Sequence, residues 1–306
     1  MKKLILIDGN AIIHRAFHAL PPFKSPEGQL VNAVYGFGSM LLNIIKSQSP
    51  TYIAVSFDTA AKTFRHEEYK EYKATRTKAP DELYAQIPLI KELVRSFSIP
   101  IYEIDGFEAD DVLGTLALQA LEYKDLATYI VTGDMDTTQL VTDRTFVLAP
   151  VKGFQEYKIY NPDEVYKKFA LTPAQIADFK GLAGDNSDNI KGVAGIGKVS
   201  ATKLLQQYKS IEGIYENLDE LKGATRTKLE QGQQDALFSK KMATIITDVP
   251  MTLKLDECKT HTYDLAKIQK FFQSLNFQSL LKKLASFDQH YSKISENDKQ
   301  NQQSLF

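Results

Sequence analysis

Carboxylates recur in this sequence directly behind short apolar runs. Asp8 follows LILI, Asp58 follows YIAVSF, and Asp134 and Asp136 follow YIVTG. Glu108, Asp110 and Asp111 come one turn after the run Ile99–Ile104. Between 103 and 111 the acids are Glu103, Asp105, Glu108, Asp110 and Asp111, with no Lys or Arg among them. Like charges held close raise one another's pKa unless a cation neutralises them. Clustered oxygen ligands without His or Cys select a hard divalent ion, magnesium or manganese before others. An Asp behind a strand also serves as a helix cap or turn residue. Asp110 and Asp111 would gain about 0.3–1 kcal/mol each from the positive end of the helix they open. Capping needs one side chain per helix, whereas here the acids come in pairs and triples, which favours a metal site for the set.

These acids meet only if the apolar runs are neighbouring strands. Runs at Leu4–Ile7, Tyr52–Phe57, Ile99–Ile104 and Tyr129–Val131 alternate with longer amphipathic stretches. That pattern predicts βαβ units and an α/β fold, a mostly parallel central sheet flanked by helices. Ligands of such sheets bind outside the carboxyl ends of the strands, so four strand ends deliver acids to one edge. Apolar positions at Val112, Leu113, Leu116, Ala117, Ala120 and Leu121 predict a helix after Glu108. From about Thr172 strand-like runs become scarce and helical stretches take over, with Pro173 in a first turn capped by Thr172. The expected organisation is an α/β domain over 1–171, a smaller helical domain over 172–287 and a polar, disordered tail over 288–306.

The 306 residues fit two domains of about 100–200 residues each. Lys+Arg 37 against Asp+Glu 38 excludes a uniformly basic protein. The single cysteine, Cys258, excludes an internal disulfide framework and a Cys-rich zinc site. The first apolar run stops at Asp8, too short for a signal peptide, and no stretch reaches the roughly 18 apolar residues of a membrane span. A cytoplasmic protein with no membrane partner is expected.

Two further segments bear on ligands. Over 62–78, KTFRHEEYKEYKATRTK, the cations Lys62, Arg65, Lys70, Lys73, Arg76 and Lys78 outnumber three acids and are interleaved with Phe64, Tyr69 and Tyr72. Cations contact phosphates and aromatic faces stack on unpaired bases; a solvated helix face laced with ion pairs explains the charges too, but not the aromatics. Over 184–205, GDNSDNIKGVAGIGKVSATKLL, Asp185 and Asp188 lie three apart, a spacing for a shared ion or for a turn. Gly192, Gly195 and Gly197 allow a tight hairpin with close backbone approach. The helix behind it aims amides at an anion, with Lys198 and Lys203 adding charge; a plain helix–turn–helix corner is the alternative. GVAGIGKV nearly spells a P-loop, but Val199 stands where Ser or Thr would hold magnesium and no strand precedes it.

LIDGNAIIHRAF, FRHEEYKEYKATR, EADDVLGTLA, TGDMDTTQL and GDNSDNIKGVAGIGKVSA, in this order over about 1–285, together resemble the bacterial 5′ nucleases. That family of 5′-3′ exonucleases and flap endonucleases includes the N-terminal exonuclease domain of DNA polymerase I. The resemblance implies a PIN-like nuclease domain with a helical arch over about 62–95, and a helix–three-turn–helix element that grips duplex DNA. It implies two divalent ions, Mg2+ or Mn2+, held directly or through water by Asp8, Asp58, Glu108, Asp110, Asp111, Asp134, Asp136, Asp185 and Asp188. Lys73 and Arg76 would touch the scissile phosphate, Tyr72 would lie near the terminal base, and Arg15 and Lys70 would contact substrate. The hairpin, with Gly192, Gly195, Gly197, Lys198 and Lys203, would hold duplex backbone with a potassium ion. Expected substrates are DNA with a 5′ flap, nick or 5′ end, and RNA primers, cut by a monomer. Met135 departs from the pattern, since a Lys or Arg is usual between the two acids of that motif, and a positive charge beside the site is lost. A non-catalytic DNA-binding protein would need the hairpin and basic segment but not the strand-end acids. A HAD-type phosphatase would need DxD where Asp8-Gly9-Asn10 stands. A 5′ nuclease domain excised from a DNA polymerase I is a further alternative. The last residues, Gln302-Gln303-Ser304-Leu305-Phe306, resemble a sliding-clamp peptide with Gln303 in place of the usual Leu.

Overall fold

A run such as LILI has no polar face, so it suits only a strand covered on both sides. Leu4 to Ile7 indeed form the centre of the sheet and are fully buried. The fold comes from a computed structural model that describes residues 1–152, 156–260 and 263–285. The tail 288–306 with its Gln302–Phe306 motif lies outside the described residues.

Among the described residues the strands are β1 (Lys2–Asp8), β2 (Tyr52–Ser56), β3 (Ile101–Tyr102), β4 (Leu126–Val131), β5 (Thr145–Lys152) and β6 (Glu156–Tyr160). They form one sheet in the order β3-β2-β1-β4-β5-β6, parallel throughout except for the antiparallel edge strand β6. Sequence reading missed β5 and β6 and overstated β3, of which only two residues pair. The helices are α1 (Gly9–Ala19), α2 (Asn32–Gln48), α3 (Phe64–Glu68), α4 (Asp81–Tyr84), α5 (Ile87–Ser96), α6 (Ala109–Ala120), α7 (Pro162–Phe169), α8 (Ile176–Ala183), α9 (Lys198–Tyr208), α10 (Ile211–Glu216), α11 (Gly223–Gln231), α12 (Gln233–Ala243) and α13 (Leu265–Ser274).

Side chains alternate across the sheet. Ile5, Ile7, Ile53 and Val55 face a core built with α1, α2 and α5, while Leu4, Leu6, Tyr52 and Ala54 face one built with α6 and Val165 of α7. A third core, with Leu182, Leu204, Leu205, Ile211, Ile214 and Leu229, holds α8 to α12 together.

Two boundaries differ from the sequence reading. The arch is not a helix over 62–95. It comprises the short α3, a run of turns to about 80 and the four-residue α4; α5 lies in the core, with Ile90, Leu93 and Val94 buried. The helical domain also ends earlier than 287. Leu253 and Cys258 join the α6 side of the sheet, and Ile268, Phe271, Phe272, Leu275, Phe277, Leu280 and Leu284 join the core of α2 and α5. These residues are apolar at helical spacing like those of the helical domain, and only long-range packing tells the two apart.

Candidate active site

The strand order reverses at β1, with β2 on one side and β4 on the other, which opens a crevice at their carboxyl ends. A cleft of about 660 Å³ lies there, and Asp8, Asp58, Glu108, Asp110 and Asp134 line it together. Capping and site roles coincide at Asp8. One of its oxygens accepts from the Ala11 amide at 2.9 Å and the other from the Thr132 hydroxyl at 2.7 Å. Asp58, at the exposed mouth, accepts from the Ala109 amide and from Asn10 Nδ2, each at 2.7 Å. The first amide of α6 therefore fixes the acid that follows β2. Asp134 accepts from the Asp136 amide at 2.9 Å.

Burial, with Asp58 and Asp134 adding repulsion, pushes the Asp8 carboxyl up to about 6. Burial and then Asp8 and Asp134 push Asp110 well above the ordinary range. Such groups hold protons unless a cation takes their place. All-oxygen donors, already oriented by backbone and hydroxyl bonds, fit hard divalent ions.

Asp111 corrects the expected ligand set. It is fully buried, and each of its oxygens already accepts twice. Arg65 donates at 2.7 and 2.8 Å, the Glu108 amide at 3.1 Å and the Ile246 amide at 2.8 Å. No acceptor capacity is left for an ion. Arg65 in turn is removed from the basic surface, being 3% exposed and donating also to the Met242 and Thr244 carbonyls at 2.9 and 2.7 Å.

The arch cations lie over the cleft. Lys73 Nζ contacts Glu108 at 2.7 Å, and the Arg76 guanidinium pairs with Asp188. Burial lowers the Lys73 pKa, but Glu108 and then Asp188 outweigh it and raise it overall. A second cavity of about 620 Å³ shares Asn10, Asp58, Lys73, Arg76 and Glu108 with the cleft, so Lys73 and Arg76 border two adjoining cavities. Tyr72 presents no free face to a base. It is 4% exposed, packs with Ile190 and Met242, and its hydroxyl lies 3.0 Å from Glu108 and 3.2 Å from Asp188.

The remaining acids form a second group. Asp136, Asp185 and Asp188 each place a carboxylate oxygen within 4.8 Å of the others. Asp185 sits in a turn closed by paired amides with Ile190 at 2.7 and 2.8 Å, so turn and site readings again coincide. Lys180 of α8, which sequence reading passed over, contacts both Asp136 and Asp185. Thr132 and Asn10 were missed as well, although both stand within two residues of a strand-end acid.

The hairpin behind Asp188 requires glycine at 192. Its φ is +65°, and a Cβ there would lie 2.3 Å from the Gly184 nitrogen. Gly197 has ordinary extended backbone and precedes α9, whose first turn has no side-chain cap. Lys198 and Lys203 are exposed beside it. In the hairpin expected to hold potassium, the Gly195 carbonyl accepts from Lys228 Nζ at 3.1 Å. Lys70 is exposed on the arch, and Arg15 reaches the Val151 carbonyl at 3.2 Å instead of lining the cleft.

A family model described as 5′-3′ exonuclease, N-terminal resolvase-like domain, matches residues 3–170, and one described as 5′-3′ exonuclease, C-terminal SAM fold, matches 171–266. DNA polymerase I of Bacillus caldotenax is 44% identical over 286 residues, covering 93% of this chain and 32% of its own length. This chain thus spans about a third of that polymerase. The T5 5′-exonuclease with bound zinc aligns at a TM-score of 0.67 and 19% identity, over 95% of this chain and 100% of its own. The T5 flap endonuclease complexed with DNA and metal ions aligns at 0.66 and 18%, over 95% and 100%. At these identities the structures establish the fold, a PIN-like sheet domain with a helical partner, whereas the two domain models cover most of the sequence and assign the lineage. The chain belongs to the 5′-3′ exonuclease family.

Proposed function

We propose that this chain is a divalent-metal-dependent 5′ nuclease that hydrolyses phosphodiester bonds near 5′ ends, nicks and flap junctions, leaving a 5′-phosphate and a 3′-hydroxyl. The observation that carries this reading is the convergence of Asp8, Asp58, Glu108, Asp110 and Asp134 in one cleft beneath Lys73 and Arg76. Asp136, Asp185 and Asp188 would hold a second ion beside the first group. Magnesium or manganese in these positions would supply Lewis-acid activation of water and charge neutralisation at the phosphate.

The chain's own groups do the rest. Thr132, Asn10 and the Ala11 and Ala109 amides hold the carboxylates in place before any ligand arrives. Lys73 and Arg76 can exchange their carboxylate partners for a phosphate, bringing positive charge to where negative charge develops. The two adjoining cavities bordered by Lys73 and Arg76 leave room for a single strand passing beneath the arch. The α9 amides with Lys198 and Lys203 suit duplex backbone. Phosphate contacts carry no sequence information, so selectivity follows substrate shape, and RNA primers are proposed as substrates beside DNA.

The test is product mapping on flap, nicked and blunt substrates with magnesium, manganese or EDTA. Replacing Asp134 and Asp136 together by Ala should abolish cleavage while duplex binding survives. Undiminished magnesium-dependent cleavage by that double variant would refute the assignment.

A further inference from the structure

We propose that Lys180 is the internal counter-cation of the second metal position, so that a divalent ion binds among Asp136, Asp185 and Asp188 only by displacing its ammonium. The inference rests on the metal reading above and adds an order of filling. Lys180 projects from α8 with its side chain 13% exposed and reaches two acids from different parts of the fold, Asp136 after β4 and Asp185 in the hairpin turn. Those are two of the three groups whose oxygens converge within 4.8 Å. Space of that size holds one cation at a time, either the ammonium or an ion.

The charges of the two groups differ accordingly. In the second group three carboxylates face two protein cations, Lys180 and Arg76, which leaves 3 − 2, or one, uncompensated. In the first group Asp8, Asp58, Glu108, Asp110 and Asp134 face one cation in direct contact, Lys73 on Glu108, which leaves 5 − 1, or four, for protons or an ion to neutralise. Arg65 stands 3.6 Å from Glu108, but its charge is matched by Asp111. The first position should therefore fill well before the second. A phosphate that draws Arg76 from Asp188 would ease entry of the second ion, which links that ion to bound substrate.

The experiment titrates Mn2+ into the metal-stripped full chain without DNA, read by the loss of free Mn2+ signal in electron paramagnetic resonance. Wild type and Lys180→Arg, which keeps the charge, should show one tight and one weak site. Lys180→Met and Lys180→Gln should each leave the first site unchanged and tighten the second by about tenfold or more. A staple without a competing role would give the opposite sign, because freeing Asp136 and Asp185 loosens the ligand set. An unchanged or weakened second site in a neutral variant with a cooperative melt overturns the proposal. If wild type binds no Mn2+ at either position, the metal reading itself falls, an outcome distinct from failure at the second position alone.

Discussion

At the scale of single residues, Asp8 shows how a cap becomes part of a site. Its two oxygens are held by an amide and a hydroxyl, yet burial keeps its pKa at about 6 against an ordinary 3.8. A carboxyl whose pKa is raised by folding contributes stability that is complete below the ordinary value and lost as pH rises through the folded one. In EDTA, Asp8→Asn should therefore be no more stable than wild type near pH 4 and should overtake it between pH 5 and 7.5. The gain at pH 7.5 should reach the order of 2–4 °C in melting temperature. Melts across that range check this, and a pH-independent difference would contradict it. Saturating Mg2+ should reverse the order, because only the charged wild-type carboxylate gains from the ion.

At the scale of elements, Arg65 ties α3 to α6 through Asp111 and to the end of α12 through the Met242 and Thr244 carbonyls. Arg65→Met leaves Asp111 charged and buried, which should cost about 3–5 kcal/mol in urea unfolding. A loss below about 1 kcal/mol would mean that water reaches Asp111. This pair marks where sequence reading stops. Acids behind apolar runs were legible because a parallel sheet collects its strand ends on one edge. Asp110 and Asp111 were not separable, since neighbours on a helix point about 100° apart and only packing decides which one enters the cleft. Lys180 gave little local signal, because Asp136 lies on another element and Asp185 stands in the turn beyond the end of α8. The arch was overdrawn for a similar reason, as the period of α5 reads alike on a surface and in a core.

At the scale of the whole molecule, the last described residues complete the first domain. Phe272 is fully buried among residues of α2 and α5. Phe272→Ala should cost about 3–5 kcal/mol, whereas Leu237→Ala at an exposed position of α12 should change stability by less than about 0.5 kcal/mol. Denaturant unfolding of the two variants checks the contrast. The same arrangement governs how the protein is made. A ribosome releases the sheet first, with α1, α2 and α5 over one face, but the segment that packs on α2 and α5 emerges only after the whole helical domain has been synthesised. The nascent sheet domain must wait with the apolar residues of α2 and α5 that meet this segment uncovered, a target for chaperones, and reaches its native core only when the residues up to about 285 have left the exit tunnel.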